Sequence, residues 1–164
     1  MSRMDECLRE LDRMNIPYTL AQHEPVFTME ECRLPESILG ACMPRNLFLC
    51  PRTRSCFCLL SAHPDSVFRT SSVSRQAGVS RLSFADEADM ESLIGTYPGC
   101  VSPLGLVFDK SQAVRYLFDE RLLKEAFLLF HPVDNRASVR ISAEDLLEKF
   151  LPLTGHRAEF IKME

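Results

Sequence analysis

The sequence predicts an α+β fold: a single domain spanning residues 1–164, with a mixed, largely antiparallel sheet surrounded by helices. Short apolar runs of strand length alternate with stretches of helical periodicity, and turn-forming residues separate them. At 164 residues the chain has the size of one ordinary domain and can bury roughly two-thirds of its unfolded surface. No repeat, linker or low-complexity tract divides it.

The first predicted elements are a helix, a short extended stretch and a second, brief helix. Ser2 is available as the N-cap of an amphipathic helix that stops before Ile16-Pro17, with its apolar face made by Met4, Cys7, Leu8, Leu11 and Met14. Residues 18–22 are typical of an extended stretch. The capping box Thr28-Met29-Glu30-Glu31 predicts a brief helix that ends near Pro35.

The middle of the chain predicts a hairpin followed by two helices. Residues 46–50 and 56–61 have strand character, and the turn at residues 51–54 separates them. One helix starts near Ser72 and another covers residues 86–94. Gly78 and Gly95 follow these two helices, as expected for left-handed C-terminal caps.

The C-terminal third predicts further strands and a last helix. Residues 104–108 and 113–118 flank the turn 109–112 and indicate a second hairpin. Residues 127–130 and 138–141 are short apolar runs of strand type. Ser142 then caps a helix whose apolar face carries Leu146, Leu147, Phe150 and Leu151.

Composition places the chain among soluble globular proteins. The apolar fraction is 46% and the charged fraction is 26%, and no apolar run approaches the ~20 residues of a membrane span. The first six residues carry charge without an apolar segment behind them, so no secretory signal is expected. These features predict a cytoplasmic protein.

The seven cysteines indicate reduced thiols rather than a disulfide framework, because their number is odd and the chain has a core of its own. Cys56 and Cys58, with Cys50 upstream, are the alternative that suggests zinc. No second paired cluster supplies the remaining ligands, so we expect neither a metal site nor a cofactor.

The charge is unevenly distributed. The net charge of −4 argues against a protein that coats nucleic acid nonspecifically. Residues 41–84 nevertheless hold a single acid, Asp65, against the arginines 45, 52, 54, 69, 75 and 81. Both a phosphate-facing patch and an ordinary solvated surface fit this pattern.

Motifs exclude several classes of enzyme. The chain has no Gly-rich phosphate loop, H-E-x-x-H or G-x-S-x-G, which argues against nucleotide hydrolysis, zinc proteolysis and α/β-hydrolase chemistry. The bend Tyr97-Pro98-Gly99-Cys100-Val101-Ser102-Pro103 could bring backbone N–H groups close to a ligand, or could be only a turn.

Two histidines and one acid stand at predicted strand ends. His131 follows an apolar strand and precedes proline, and His23 precedes Glu24-Pro25 in the same way. Either ring could orient a substrate or serve only the structure. Asp119 follows a strand and precedes Glu120-Arg121, where helix capping is the plain explanation.

Five blocks together resemble one family. In order they are His23-Glu24-Pro25-Val26-Phe27-Thr28-Met29-Glu30-Glu31, Arg45-Asn46-Leu47-Phe48-Leu49, Leu82-Ser83-Phe84-Ala85, Pro98-Gly99-Cys100-Val101-Ser102-Pro103-Leu104 and Phe130-His131-Pro132-Val133-Asp134-Asn135. They are similar to the YbaK/prolyl-tRNA synthetase editing-domain family, and most similar to its stand-alone alanyl-tRNA(Pro) deacylases. The resemblance covers nearly the whole chain.

The resemblance implies a metal-free deacylase that uses water to hydrolyse the ester of mischarged tRNA. It assigns catalytic roles to Arg45, Asn46, Gly99, Asp119 and His131, and substrate contacts to His23, Cys100, Val101, Ser102 and Pro103. Arg45 departs from the lysine usual in this family, and Asn46 is expected to hold the attacking water.

The partners implied are the 3′ acceptor end of tRNA(Pro) and prolyl-tRNA synthetase, with no membrane contact. Alternatives are a deacylase for another small amino acid, cysteine or serine, and a homologue that binds tRNA or synthetase without turnover. The Arg45 departure is the feature that favours the last alternative.

Overall fold

The computed structural model describes residues 1–26, 28 and 30–164. The α-helices of this described chain are α1 (Arg3–Arg13), α2 (Arg33–Leu39), α3 (Thr70–Ala77), α4 (Glu87–Ile94), α5 (Ala143–Asp145) and α6 (Leu151–Thr154). Its strands are β1 (Thr19–Gln22), β2 (Arg45–Pro51), β3 (Phe57–Ala62), β4 (Leu82–Phe84), β5 (Val114–Asp119), β6 (Phe127–Phe130), β7 (Ala137–Ser142) and β8 (Ala158–Ile161). Short 3₁₀ helices cover Pro103–Phe108 and Glu120–Lys124, and a π-helical turn, Leu146–Phe150, joins α5 to α6.

The strands of the described chain form two sheets. One has the order β1-β7-β6 and is antiparallel throughout. The other has the order β4-β2-β3-β5-β8, antiparallel from β4 to β3 and parallel from β3 to β8. This confirms the predicted α+β class with mixed, largely antiparallel pairing, although the strands divide between two sheets instead of sharing one.

Both faces of the five-stranded sheet are covered. Phe48, Leu59 and Tyr116 belong to the largest apolar cluster, while Leu49 and Leu60, on the opposite face, belong to a second one. A strand buried on both faces has no polar side, which explains the continuous apolar runs of β2 and β3. These two strands pair as the predicted antiparallel hairpin.

Helices α1, α3 and α4 confirm the predicted caps. Ser2 Oγ accepts a hydrogen bond from the Asp5 N–H at 3.1 Å and so begins α1. Gly78 and Gly95 end α3 and α4 with φ angles of 71° and 64°, in the left-handed region that favours glycine.

The predicted second hairpin is wrong. Ser102 caps a 3₁₀ helix that Pro103 begins, because its Oγ accepts from the Leu104 N–H at 3.1 Å. Gly105 lies against the backbone of Ile94 so closely that no Cβ would fit there. Within the described residues, strand β5 therefore has no hairpin partner and instead runs parallel to β3 and β8.

The predicted helix ending near Pro35 is also wrong. Helix α2 begins at Arg33 and continues past Pro35 to Leu39. Proline is tolerated because it lies in the first turn, where its missing N–H has no partner to lose. The Thr28 Oγ does accept from the Glu31 N–H at 3.2 Å, so the capping pattern forms a separate turn. Met29, within that pattern, lies outside the described residues.

Two short edge strands were not predicted. Strand β4 pairs with the end of β2, and β8 pairs with β5 at the far edge of the sheet. The C-terminal helix does begin after Ser142, whose Oγ accepts from the Asp145 N–H at 2.9 Å. Among the helices described, none is long and apolar enough to cross a membrane.

Candidate active site

A cavity of 240 Å³ opens where β2, the bend at Gly99 and the end of β6 come together. Nearby, β6 is joined to the segment that leads into β2, since the Leu129 N–H donates to the Cys42 carbonyl at 2.9 Å. The lining of the cavity consists of Val26, Thr28, Cys32, Met43, Pro44, Arg45, Asn46, Leu47, Gly99, Val101 and His131. Five of the ten predicted site residues therefore meet here: Arg45, Asn46, Gly99, Val101 and His131.

Larger hollows elsewhere on the surface do not collect the predicted residues. One of 360 Å³ lies between α1 and α6, and one of 760 Å³ lies over α3 and is lined by Arg69, Arg75 and Arg81. Neither includes any of the ten predicted site residues. The smaller cavity is thus the candidate active site.

The start of β2 presents an open edge at this cavity. Along one side β2 pairs with β3 from Arg45 onward, but along the other it pairs with β4 only from Leu49 to Pro51. Within the described chain, residues 45–47 therefore have no strand partner on that side. Both the side chains and the backbone of an open edge are available to a ligand.

His131 has one ring nitrogen committed to the protein and one left over. Its Nδ1 lies 2.8 Å from the Ala137 carbonyl oxygen, so Nδ1 carries a proton and donates it. In the neutral ring Nε2 is then the acceptor, and it makes no hydrogen bond within the described chain. His131 thus offers an acceptor rather than a donor.

Burial keeps this ring neutral. Burial is the main cause that lowers the pKa of His131 below its ordinary value of 6.5, and nearby His23 lowers it further. The bond to Ala137 and the charge of Asp134 oppose this shift without cancelling it. At neutral pH the Nε2 lone pair is therefore available.

His23 lies beside His131 but outside the cavity lining. The two ring centroids are 6.3 Å apart. Both nitrogens of His23 are engaged, at 2.7 Å from the Glu24 carbonyl oxygen and at 2.7 Å from the Ser138 Oγ. The predicted substrate contact of His23 stays a prediction. In the structure, His23 packs beside His131 and its hydrogen bonds are to Glu24 and Ser138.

Arg45 is half-buried at the cavity, and its guanidinium is only partly satisfied. Nη2 donates to the Ser66 carbonyl at 2.8 Å, whereas Nε is buried without a hydrogen-bond partner in the described chain. A buried donor without a partner is unfavourable unless a ligand supplies an acceptor. The arrangement suits an anionic or carbonyl oxygen.

Asp119 lies one layer behind Arg45. Its fully buried carboxylate accepts from the His63 N–H at 2.8 Å, the Ser66 Oγ at 2.5 Å and the Arg121 N–H at 2.9 Å. It therefore shapes the loop whose Ser66 carbonyl holds Arg45. The catalytic role predicted for Asp119 stays a prediction, and the geometry connects it to the cavity through Ser66.

The bend after α4 divides into residues that line the cavity and residues that build its wall. Gly99 lines it with a φ of 98°, which L side chains rarely adopt. Cys100 is buried behind it, and its N–H donates to the Tyr97 carbonyl at 3.0 Å. Ser102 and Pro103 are buried at the start of the 3₁₀ helix and, like Cys100, are outside the lining.

Asn135 was not predicted as a site residue, yet it ties two walls of the cavity together. Its Nδ2 donates to the Val26 carbonyl at 3.2 Å, and its Oδ1 accepts from the Tyr97 hydroxyl at 3.0 Å. The segment before α2 and the bend are thereby held side by side. Asn135 belongs to the fifth family block, so its position in that block could have identified it as a site residue.

Sequence reasoning also missed most of the apolar lining. Val26 and Thr28 belong to the first block, while Met43 and Pro44 directly precede Arg45. Their position in or beside the five family blocks is the sequence feature that could have identified them. Cys32 had none, because it reaches the cavity only through the placement of α2.

The two thiols on and behind the cavity wall are not activated. Cys32, on the cavity wall, has its pKa raised to about 11 by burial and then by Glu36 and Glu31. Burial likewise raises the pKa of Cys100 to about 11. In the part of the chain that is described, no three His, Cys, Asp or Glu side chains are grouped so as to hold a metal ion.

The family model of the aminoacyl-tRNA editing domain matches residues 23–149. This span contains every described residue that lines the cavity. The chain belongs to the aminoacyl-tRNA editing family.

Relatives of known description agree with this family. The chain is 31% identical over 163 residues to the prolyl-tRNA editing protein ProX of Acetoanaerobium sticklandii, and the match covers 99% of each chain. It is 33% identical over 148 residues to the prolyl-tRNA synthetase associated domain-containing protein 1 of Danio rerio, covering 89% of this chain and 79% of that one.

Solved structures share the fold. A crystal structure provisionally assigned as a trans-editing enzyme for prolyl-tRNA synthetase has a TM-score of 0.72 at 17% identity, covering 99% of this chain and 98% of the other. A scaffold designed to present linear epitopes has a TM-score of 0.75 at 18% identity, covering 99% and 97%.

These findings confirm the predicted family and enzyme class. As a member of the editing family, the protein is an aminoacyl-tRNA deacylase and tRNA is its partner. The cavity brings together five predicted site residues that lie far apart along the chain.

Proposed function

We propose that this protein is a free-standing cytoplasmic deacylase that hydrolyses alanyl-tRNA(Pro), with residues 1–164 forming one editing domain. The observation that carries the proposal is the small cavity in which Arg45, Asn46 and His131 meet apolar side chains. Its 240 Å³ lies below the ~300–1,000 Å³ typical of pockets for larger ligands. Such a space suits a small aminoacyl group.

Size selection explains why such an enzyme is needed. A synthetase pocket shaped for proline cannot strongly exclude the smaller alanine, because each missing methylene is worth only ~1–3 kcal/mol. A second pocket, too small for the pyrrolidine ring, can hydrolyse the error and spare the correct product. Val26, Met43, Leu47 and Val101 provide apolar walls of this kind.

In the proposed reaction, water is the nucleophile. It attacks the ester carbonyl carbon, the bond to the ribose oxygen breaks, and a proton from water ends on that oxygen. Cys32 is protonated at neutral pH because its pKa is raised to about 11, so it does not compete as a thiolate nucleophile.

The protein groups then have distinct roles. Arg45 binds a phosphate of the tRNA 3′ end, and the Nε2 of His131 accepts a hydrogen bond from the α-amino group. The Cys100 N–H is already used by Tyr97, so the bend contributes the N–H groups of Gly99 and Val101 to the developing oxyanion. Asp119 acts through Ser66 to position Arg45.

The acceptor end of tRNA(Pro) and prolyl-tRNA synthetase are the proposed partners. In support of the first, the loop that follows β3 leads from Ser66, beside Arg45, to the hollow lined by Arg69, Arg75 and Arg81. Clustered arginines near a strand end suit the phosphates of an acceptor stem.

The decisive experiment is discharge of purified alanyl-tRNA(Pro) and prolyl-tRNA(Pro) at catalytic enzyme concentration, with seryl- and cysteinyl-tRNA compared under the same conditions. We expect multiple turnovers on the first and none above background on the second. Equal rates would contradict size selection, and faster release of serine or cysteine would reassign the substrate. Binding without turnover would identify a homologue that lost its activity.

A further inference from the structure

A buried chain of hydrogen bonds runs from the core of the five-stranded sheet to the cavity. The Tyr116 hydroxyl donates to the Ser61 Oγ at 2.7 Å, and the Ser61 Oγ donates to the Asn46 Oδ1 at 2.5 Å. Asn46 and Ser61 are cross-strand partners on β2 and β3, and Tyr116 lies on neighbouring β5. Ser61 and Tyr116 are 0% and 1% exposed.

The buried tyrosine determines which group donates in each of these two hydrogen bonds. Tyr116 makes no other hydrogen bond in the described chain, so its hydroxyl must donate to Ser61 or leave its proton unsatisfied. Burial raises the pKa of Tyr116, which keeps that proton in place. Ser61 has a single hydroxyl proton, and it goes on to Asn46.

The consequence concerns the orientation of the Asn46 amide. An amide can present either oxygen or nitrogen to a neighbour, and the hydrogen-bond network decides which. Because Ser61 donates, Asn46 must offer it Oδ1. Nδ2, with two N–H donors and no partner in the described chain, is left for the cavity that Asn46 lines.

We propose that Ser61 and Tyr116 are positioning residues that aim Asn46 Nδ2 at the ester carbonyl oxygen, where negative charge develops during hydrolysis. This inference rests on the proposed function and revises the role expected for Asn46, from a group that holds the attacking water to one that stabilises the oxyanion. A donor held in place before reaction stabilises that charge without having to reorient.

Substitution of Asn46 distinguishes a donor from an acceptor. Asn46→Asp keeps an oxygen for Ser61 but loses both N–H groups, so we expect kcat on alanyl-tRNA(Pro) to fall about a hundredfold, as far as in Asn46→Ala. If Asn46 instead accepted a proton from water, a carboxylate at this position would serve at least as well. An Asn46→Asp variant that keeps parental kcat would overturn the proposal.

The positioning residues are tested by Ser61→Ala and Tyr116→Phe. Each should lower kcat about tenfold with KM nearly unchanged, and the double variant should match Ser61→Ala alone because Tyr116 acts only through Ser61. The matched control is Tyr18→Phe, which removes a tyrosine hydroxyl outside the cavity lining. Additive losses in the double variant, or a rise in KM alone, would contradict positioning.

A measurement without turnover separates this inference from the proposed function. In ¹⁵N spectra, the Asn46 side-chain amide signals, assigned with Asn46→Asp, should shift on addition of 3′-alanylamino-3′-deoxyadenosine, a stable amide analogue of the charged 3′ end. Ser61→Ala should abolish that shift. If these shifts occur but alanyl-tRNA(Pro) is not hydrolysed, the proposed substrate is wrong and the proposed orientation of Asn46 stands. If the parent protein shows no shifts, the proposed orientation of Asn46 is wrong.

Discussion

Arg45 shows how one residue can retain a charge while changing its geometry. Where the resemblance implies a lysine, this chain has a planar guanidinium whose Nη2 donates to the Ser66 carbonyl. Arginine binds phosphate through a fork, whereas lysine is a compact charge on a flexible stem. The Arg45 Nε is buried and has no hydrogen-bond partner in the described chain.

Substitutions of Arg45 should separate charge from shape. Arg45→Ala should weaken tRNA binding and reduce the slope of log Kd against log salt by about 1, because one phosphate contact is lost. Arg45→Lys should keep that slope and keep or raise the rate of single-turnover deacylation. Arg52→Ala is the matched control, since this exposed arginine lies at the other end of β2. An unchanged salt slope in Arg45→Ala would remove Arg45 from the site.

His131 should set the acid limb of the pH profile. Its pKa lies below 6.5, so the ring is neutral at neutral pH and loses its acceptor only when the pH falls through that lowered pKa. We expect kcat/KM to fall on the acid side of 6.5 and His131→Ala to be slower but to lack this fall. His23→Gln should retain the inflection, and its disappearance in that variant would contradict the assignment to His131.

At the scale of elements, the site depends on where strands end and bend. Strand β2 begins at Arg45 with an open edge, β6 ends one residue before His131, and the segment after α4 turns at Gly99. Each element thus contributes its terminus to the cavity. A terminus can present both side chains and backbone to a ligand, which the middle of a paired strand cannot do.

The bend can be tested with a pair of glycines. Gly99→Ala and Gly78→Ala both place a side chain at positive φ, at 98° and 71°, so each should cost about 1 kcal/mol of unfolding free energy. Only Gly99 lines the cavity, so only Gly99→Ala should also lower kcat/KM. Urea denaturation and deacylation assays measure the two effects, and equal activity of both variants would exclude the bend from the site.

At the scale of the molecule, two sheets contribute to one cavity. The five-stranded sheet supplies Arg45 and Asn46, and His131 directly follows β6 of the three-stranded sheet. The hydrogen bond from the Leu129 N–H to the Cys42 carbonyl joins the three-stranded sheet to the segment just before β2. The apolar cluster behind the cavity includes Phe48 and Phe130 from the two sheets, so the relative position of the sheets also sets the size of the pocket.

The sequence by itself determined the fold class and the family, and five of the site residues that it predicts line the cavity. Apolar periodicity and capping residues act over a few positions, which is why α1, α3, α4 and the β2–β3 hairpin were predictable. The ordered blocks placed Arg45, Asn46, Gly99, Val101 and His131, all of which line the cavity.

Only the tertiary structure decided how distant segments combine. The parallel partners of β5 follow from the packing of the whole sheet. The sequence of a strand that is buried on both faces is apolar throughout and does not indicate which strands pair with it. Tertiary packing also decided which predicted site residues lie outside the cavity lining. Cys100, Ser102 and Pro103 lie behind the wall, and Asp119 lies behind Arg45. The Tyr116-Ser61-Asn46 chain likewise joins three strands, and hydrogen bonds across strands depend on pairing register that local sequence patterns do not specify.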